Sequence, residues 1–140
     1  MLPNLIKNKI SKNKNIAFAI LFGSHATGKV RFGSDLDIAI YFKTEPELLE
    51  IGDLVNQLQE ITEDKIDLVK LNGLCLSRPG LAYNIIKDGI IVYNEDSIML
   101  AEYKRKVLLE YLNFKPIADM FHNRYLQRLT ANKPGRRNLC

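Results

Sequence analysis

Two carboxylates two residues apart, Asp35 and Asp37, stand in the otherwise mostly apolar stretch "SDLDIAIYF", and ten residues separate them from the pair Gly23-Ser24. Residues i and i+2 of an extended chain point to the same face with Cα atoms about 6.5 Å apart, so both side chains address one target. Like charges held together oppose one another; at neutral pH they require a raised pKa, a basic partner or a divalent metal ion. Carboxylate oxygens are hard ligands that suit magnesium, which keeps several waters and binds beside substrate phosphates. A third carboxylate, Asp67 in "KIDLVKL", joins the set if its strand lies beside theirs. Three carboxylates can hold two metal ions roughly 4 Å apart, an arrangement that activates an attacking oxygen and stabilises a phosphoryl transition state. Gly23-Ser24 fits the opposite rim, because a strand ending in glycine lets backbone N–H groups approach a phosphate and the Ser24 hydroxyl donates to a phosphate oxygen. Taken singly, Ser24 also reads as a helix cap and Asp67 as an ion-paired acid near Lys65 and Lys70.

These residues need strands beneath them. Ile16 to Phe22 is a continuous apolar run that stops at Gly23, the pattern of a central strand covered on both faces. Residues 35–42 alternate, with Leu36, Ile38, Ile40 and Phe42 on one face and Asp35, Asp37, Ala39 and Tyr41 on the other. Thr44 reads as the N-cap of a helix that reaches about Thr62, with Glu45-Pro46-Glu47 in its first turn and Leu48, Leu49, Ile51, Val55 and Leu58 as its apolar stripe. A short strand follows at 65–71, then a helix at about 77–87, a turn at Asp88-Gly89 and an edge strand "IIVYN". From Asp96 to about Leu112 a helix places Leu100, Tyr103, Val107 and Tyr111 on one stripe; another begins near Pro116 and carries Ile117, Phe121, Tyr125 and Leu129. The expectation is a single α/β (α+β) domain over 1–140, a small mixed sheet flanked by helices, with C-terminal helices from about 96 and a mobile basic tail from about 132.

Length and composition agree with that and exclude other classes. A chain of 140 residues, 46% hydrophobic and 26% charged, is of ordinary globular make-up. Its net charge of +4 favours an anionic ligand without establishing nucleic-acid binding, and no direct nucleic-acid contact is expected. Cys75 and Cys140 lack CxxC spacing, which indicates neither a zinc site nor a disulfide framework. Residues 1–15 are basic without the apolar core of a signal peptide, and no run approaches the ~20 residues of a spanning helix, so no membrane role and a cytoplasmic location are expected. His25 beside Ser24 reads as a phosphate contact or a solvent-exposed residue, and His122 as a surface residue; two histidines do not make a zinc site. Arg124, Arg128, Arg136 and Arg137 read as a solvated basic face or a surface for an acidic partner.

Gly23-Ser24, ten residues, Asp35-Leu36-Asp37 and then Asp67 together resemble the motif of the DNA polymerase β-like nucleotidyltransferase superfamily, in its minimal nucleotidyltransferase branch. "IIKDGIIVYNED" and "AEYKRKVLLEYLNFKPIADMFHNRYLQRL" further resemble minimal nucleotidyltransferases that act as antitoxins to HEPN-domain RNase toxins. The resemblance implies the polymerase β-like fold and a protein adenylyltransferase that moves AMP from ATP to a tyrosine of the toxin encoded by the adjacent gene, neutralising it. It also implies Asp35, Asp37 and Asp67 as catalytic ligands of Mg2+, two ions in the fullest form, with Gly23 and Ser24 holding the triphosphate. Relatives often carry arginine soon after the Gly-Ser pair; here His25 and Thr27 stand there, and Lys29 or Arg31 is the candidate for that positive charge. The competing readings are a binding-only antitoxin and a nucleotidyltransferase acting on a small molecule or RNA end.

Overall fold

A computed structural model describes residues 2–28 and 35–119. Four strands, β1 (Ile16–Phe22), β2 (Leu36–Phe42), β3 (Ile66–Lys70) and β4 (Ile90–Asn94), form one mixed sheet in the order β3-β2-β1-β4. β1 runs antiparallel to both β2 and β4, while β2 and β3 are parallel. The continuous apolar run of β1 therefore has the central place expected of it, and "IIVYN" forms the edge.

Helices cover both faces. On one, α1 (Leu2–Ile10) and α3 (Leu48–Gln59) set Ile6, Ile10, Leu54 and Leu58 against Ile38, Ile40 and Phe42 of β2. On the other, α4 (Leu74–Ser77), α5 (Pro79–Asp88) and α6 (Ser97–Asp119) set Cys75, Ala82, Ile85, Tyr103 and Val107 against Phe18, Ile20 and Ala39. The Tyr103 hydroxyl donates to the Leu71 carbonyl at 2.9 Å and its ring lies against Phe18 and Tyr41, which binds α6 to the sheet. The stripe expected on α6 is the buried one: Leu100, Tyr103 and Val107 are in the core and Tyr111 stacks on Tyr83 of α5.

Several boundaries depart from expectation for local reasons. α1 was not anticipated in the basic segment 1–15, although Ile6 and Ile10, four apart, are both fully buried. Thr44 does not cap α3, whose N-cap position is Glu47; its backbone N–H and its hydroxyl instead donate to Asn15 Oδ1, both at 2.9 Å. Leu48 and Leu49 are exposed, so the buried stripe of α3 begins later. The helix expected over 77–87 is interrupted at Arg78 (φ −140°, ψ 71°), because the residue before Pro79 is sterically driven out of the α region. α6 continues through Pro116 to Asp119 where a fresh helix was expected; a proline inside a helix removes one backbone donor without obliging the chain to stop. Phe121, Tyr125 and Leu129 of that second stripe, the tail from 132, His122, Cys140 and the four C-terminal arginines lie outside the described residues.

Candidate active site

The site is assembled where β1 ends and β2 begins. Phe22 pairs with Asp37 across the antiparallel ladder, so the chain leaving β1 at Gly23 passes directly beside the first strand residue to carry a carboxylate. Gly23 takes φ +74° and ψ −148°, a conformation open to glycine and strained for other residues. The turn that follows, α2 (Ser24–Thr27), is closed by its own backbone: Ala26 and Thr27 donate to the Gly23 carbonyl at 3.1 and 3.2 Å, and Gly28, at φ +77°, donates to Ser24. Gly23 also has a steric reason to be glycine. A Cβ there would lie 2.2 Å from Asp37 Oδ2, so the Asp37 carboxylate occupies the space a side chain would need.

Asp37 and Asp67 face each other in register across the parallel β2–β3 pair. Asp37 is half-buried, and its pKa is raised: first by desolvation, then by Asp67 and by the charge of Asp35, with His25 opposing. Asp35 precedes β2 and is exposed, as is Asp67. The condition set on Asp67, that its strand lie beside that of Asp37, is met.

Among the described residues no group of three His, Cys, Asp or Glu side chains is drawn together tightly enough to hold a metal ion. The donor set still has the chemistry of a magnesium site, being all carboxylate oxygen, and the charges of Asp67 and Asp35 add to the desolvation of the Asp37 carboxyl in raising its pKa. Lys29 and Arg31, the candidates for phosphate charge, lie outside the described residues.

His25 differs from its exposed reading. Its side chain is only 9% exposed, Nε2 lies 3.2 Å from Asp64 Oδ2, and Nδ1 is buried with no partner among the described residues. Asp64 sits in the loop between α3 and β3, where the Gln59 amide donates to the carbonyls of Thr62 and Asp64 and the Asp64 N–H donates to Thr62 Oγ1. Sequence reasoning missed Asp64; the sole signal was an acid three residues before Asp67.

Over residues 4–98 the chain matches the family described as Polymerase beta, Nucleotidyltransferase. A protein adenylyltransferase MntA of Aphanizomenon flos-aquae is 29% identical over 118 residues, which span 77% of this chain and 77% of that protein. A protein adenylyltransferase MntA of Thermococcus cleftensis is 29% identical over 72 residues, 51% of this chain and 70% of that one. The fold is also that of a chain in a toxin-antitoxin crystal structure with AMP-PNP, at TM-score 0.73 and 18% identity, covering 90% of this chain and 99% of that chain. It is shared with a chain in a structure of the tri-AMPylated Shewanella oneidensis HEPN toxin in complex with MNT antitoxin, at TM-score 0.63 and 18% identity, covering 89% and 98%.

Proposed function

We infer that this chain, which belongs to the polymerase beta nucleotidyltransferase family, is an antitoxin that transfers AMP from ATP to a tyrosine of a HEPN-type RNase toxin and so silences it. The observation that carries the reading is the registered pair Asp37 and Asp67 with the Gly23-Ser24 turn packed against Asp37. Relatives named protein adenylyltransferases support the reaction, and the structural relative that pairs an MNT antitoxin with an AMPylated HEPN toxin supports the acceptor.

Each residue has a role in that reaction. Ser24 donates its hydroxyl to a phosphate oxygen of ATP, and Gly23 lets the chain pass close to the triphosphate with no side chain between. Asp35, Asp37 and Asp67 would hold Mg2+, which would supply positive charge against the triphosphate and the charge that develops during transfer. Asp67 also accepts the proton of the tyrosine hydroxyl as its oxygen attacks the α-phosphorus. The bond from that phosphorus to the bridging oxygen breaks, and pyrophosphate leaves with the electron pair. A phenol near pKa 10 gives up this proton more readily than an aliphatic hydroxyl.

The test is to incubate the protein with ATP, Mg2+ and the toxin and to locate added mass on the toxin. Increments of AMP on tyrosine are expected. Asp35→Asn and Asp37→Asn should each slow transfer by about a hundredfold or more, since a lost ligand removes several kcal/mol of transition-state stabilisation. An unmodified toxin that is still neutralised would establish action by binding alone, and label on RNA or a small molecule would replace the acceptor.

A further inference from the structure

We propose that His25 is a positioning residue for the transfer reaction: clamped by Asp64, it fixes the Gly23-Ser24 turn against the carboxylates of β2 and β3. The inference rests on the reading of Ser24 as a phosphate contact. Its geometry is independent of that reading. α2 is a single turn, too short to hold its own orientation, since a helix that length has paid the nucleation cost with almost no propagation to offset it. Its internal hydrogen bonds close the turn but do not attach it to β3. The contact from His25 Nε2 to Asp64 Oδ2 makes that attachment across 39 residues of sequence.

The anchor at the far end is itself held. Asp64 is in the loop that Gln59 and Thr62 fasten to the end of α3, and three residues later the chain presents Asp67. His25 therefore couples the phosphate-gripping turn to the strand that carries the third carboxylate, and the two must keep a constant separation for an acceptor oxygen beside Asp67 to meet a phosphorus held at Ser24. The ring is not placed for packing alone. An apolar side chain would fill the same space without leaving a buried nitrogen unpartnered among the described residues, and such unpaired atoms concentrate where a fold serves function over stability.

Steady-state transfer to the toxin at varied ATP concentration, with Mg2+ saturating, tests the assignment in wild type, His25→Ala, Asp64→Ala, the double variant and His25→Gln. Both single alanine variants should raise KM for ATP about tenfold. The double variant should resemble either single one, because the two side chains act as one clamp. His25→Gln, which keeps an N–H donor near the place of Nε2, should recover most of the loss. An ATP titration by calorimetry should show the same weakening in binding without toxin. A fall in kcat with unchanged KM and unchanged ATP affinity, matched by a lower melting temperature, would mean a smaller folded fraction and would overturn the proposal, as would wild-type kinetics in His25→Ala. Absence of ATP binding and transfer in the wild type would overturn the underlying reading of Ser24, and this proposal with it.

Discussion

Gly23 and Asp37 constrain each other sterically, and the consequence can be measured at a single atom. Gly23→Ala places a Cβ 2.2 Å from Asp37 Oδ2 in a backbone conformation that costs a non-glycine residue about 1–3 kcal/mol. Gly28 also has positive φ, but a Cβ there meets nothing within 4 Å. Gly28→Ala should thus lose only about 1–2 kcal/mol of stability in urea titration and keep its transfer rate. Gly23→Ala should lose stability and at least tenfold in transfer as well. Equal activity in the two variants would show that Asp37 does not depend on Gly23. Asp37 carries a second prediction. A carboxyl with a raised pKa in the folded state binds its proton more tightly folded than unfolded, so stability falls as pH rises from the ordinary carboxylate value through the raised one. Asp37→Asn should therefore melt higher than wild type at neutral pH without divalent cations, and the difference should close in acid where wild-type Asp37 is protonated in both states. Added Mg2+ should stabilise wild type more than the variant. A variant that melts lower at neutral pH would contradict the charge crowding. The neighbourhood of Asp37 and Asp67 was legible beforehand, from the alternation of residues 35–42 and the isolated acid within 65–71. The burial of His25 and the part of Asp64 were not, because a contact between residues 39 apart leaves no periodic trace.

The elements position these side chains through strand order. Because β2 and β3 are parallel and in register, Asp37 and Asp67 are neighbours by construction, and a slip of one residue would send Asp67 to the opposite face. The ladder is continued beyond the last β3 residue by a side chain. Leu71 donates its N–H to the Ile40 carbonyl at 2.8 Å, and Asn72 then accepts from the Phe42 N–H at 2.9 Å and donates to the Phe42 carbonyl at 2.8 Å. Asn72→Ala removes both bonds and leaves the backbone groups of the buried Phe42 without these partners, which should cost about 1–3 kcal/mol. The clip lies at the end of β2 remote from Asp37, so KM for ATP should not change while the urea midpoint falls. A raised KM would mean that the pairing at this end communicates with the carboxylates. Most of this level was readable from pattern: all four strands fall within a residue of expectation, because runs of apolar and alternating residues have a physical period. What the pattern could not carry was tertiary in origin. Thr44 has the chemistry of a cap and is taken instead by Asn15; Pro116 has the chemistry of a first-turn residue and lies within a longer helix.

At the scale of the whole molecule, nearly all the described chain is sheet and covering helices, and the carboxylates stand at the rim of that sheet. Asp35 and Asp67 are exposed. A cavity of about 650 Å³ does exist, but it is lined by Lys12, Asn13, Thr44, Glu47 and Asp53 and lies toward the start of β1 and the end of β2, away from the end that carries Gly23 and Asp37. No helix among the described residues is long and apolar enough to cross a membrane, α6 with its 23 residues included. A rim site of this kind suits an acceptor that brings its own surface, as a protein does, and disfavours a small molecule that needs enclosure. Stoichiometry separates catalytic from steric action on such a partner. An antitoxin that works by occlusion silences at most one toxin per copy and releases it on dilution, whereas an enzyme leaves a covalent mark. AMP on a tyrosine near an RNA-binding surface adds a phosphate charge and bulk where the RNase must accept a phosphate backbone, so inhibition persists after the two proteins part. With ATP and Mg2+ in excess, one part antitoxin to about twenty parts toxin should abolish RNA cleavage over time, and toxin repurified from that mixture should remain inactive. Without ATP, or with Asp37→Asn, the same ratio should leave most of the cleavage intact. Neutralisation that requires equimolar protein and disappears on separation, with ATP present throughout, would assign the effect to binding and leave the carboxylates without a part in it.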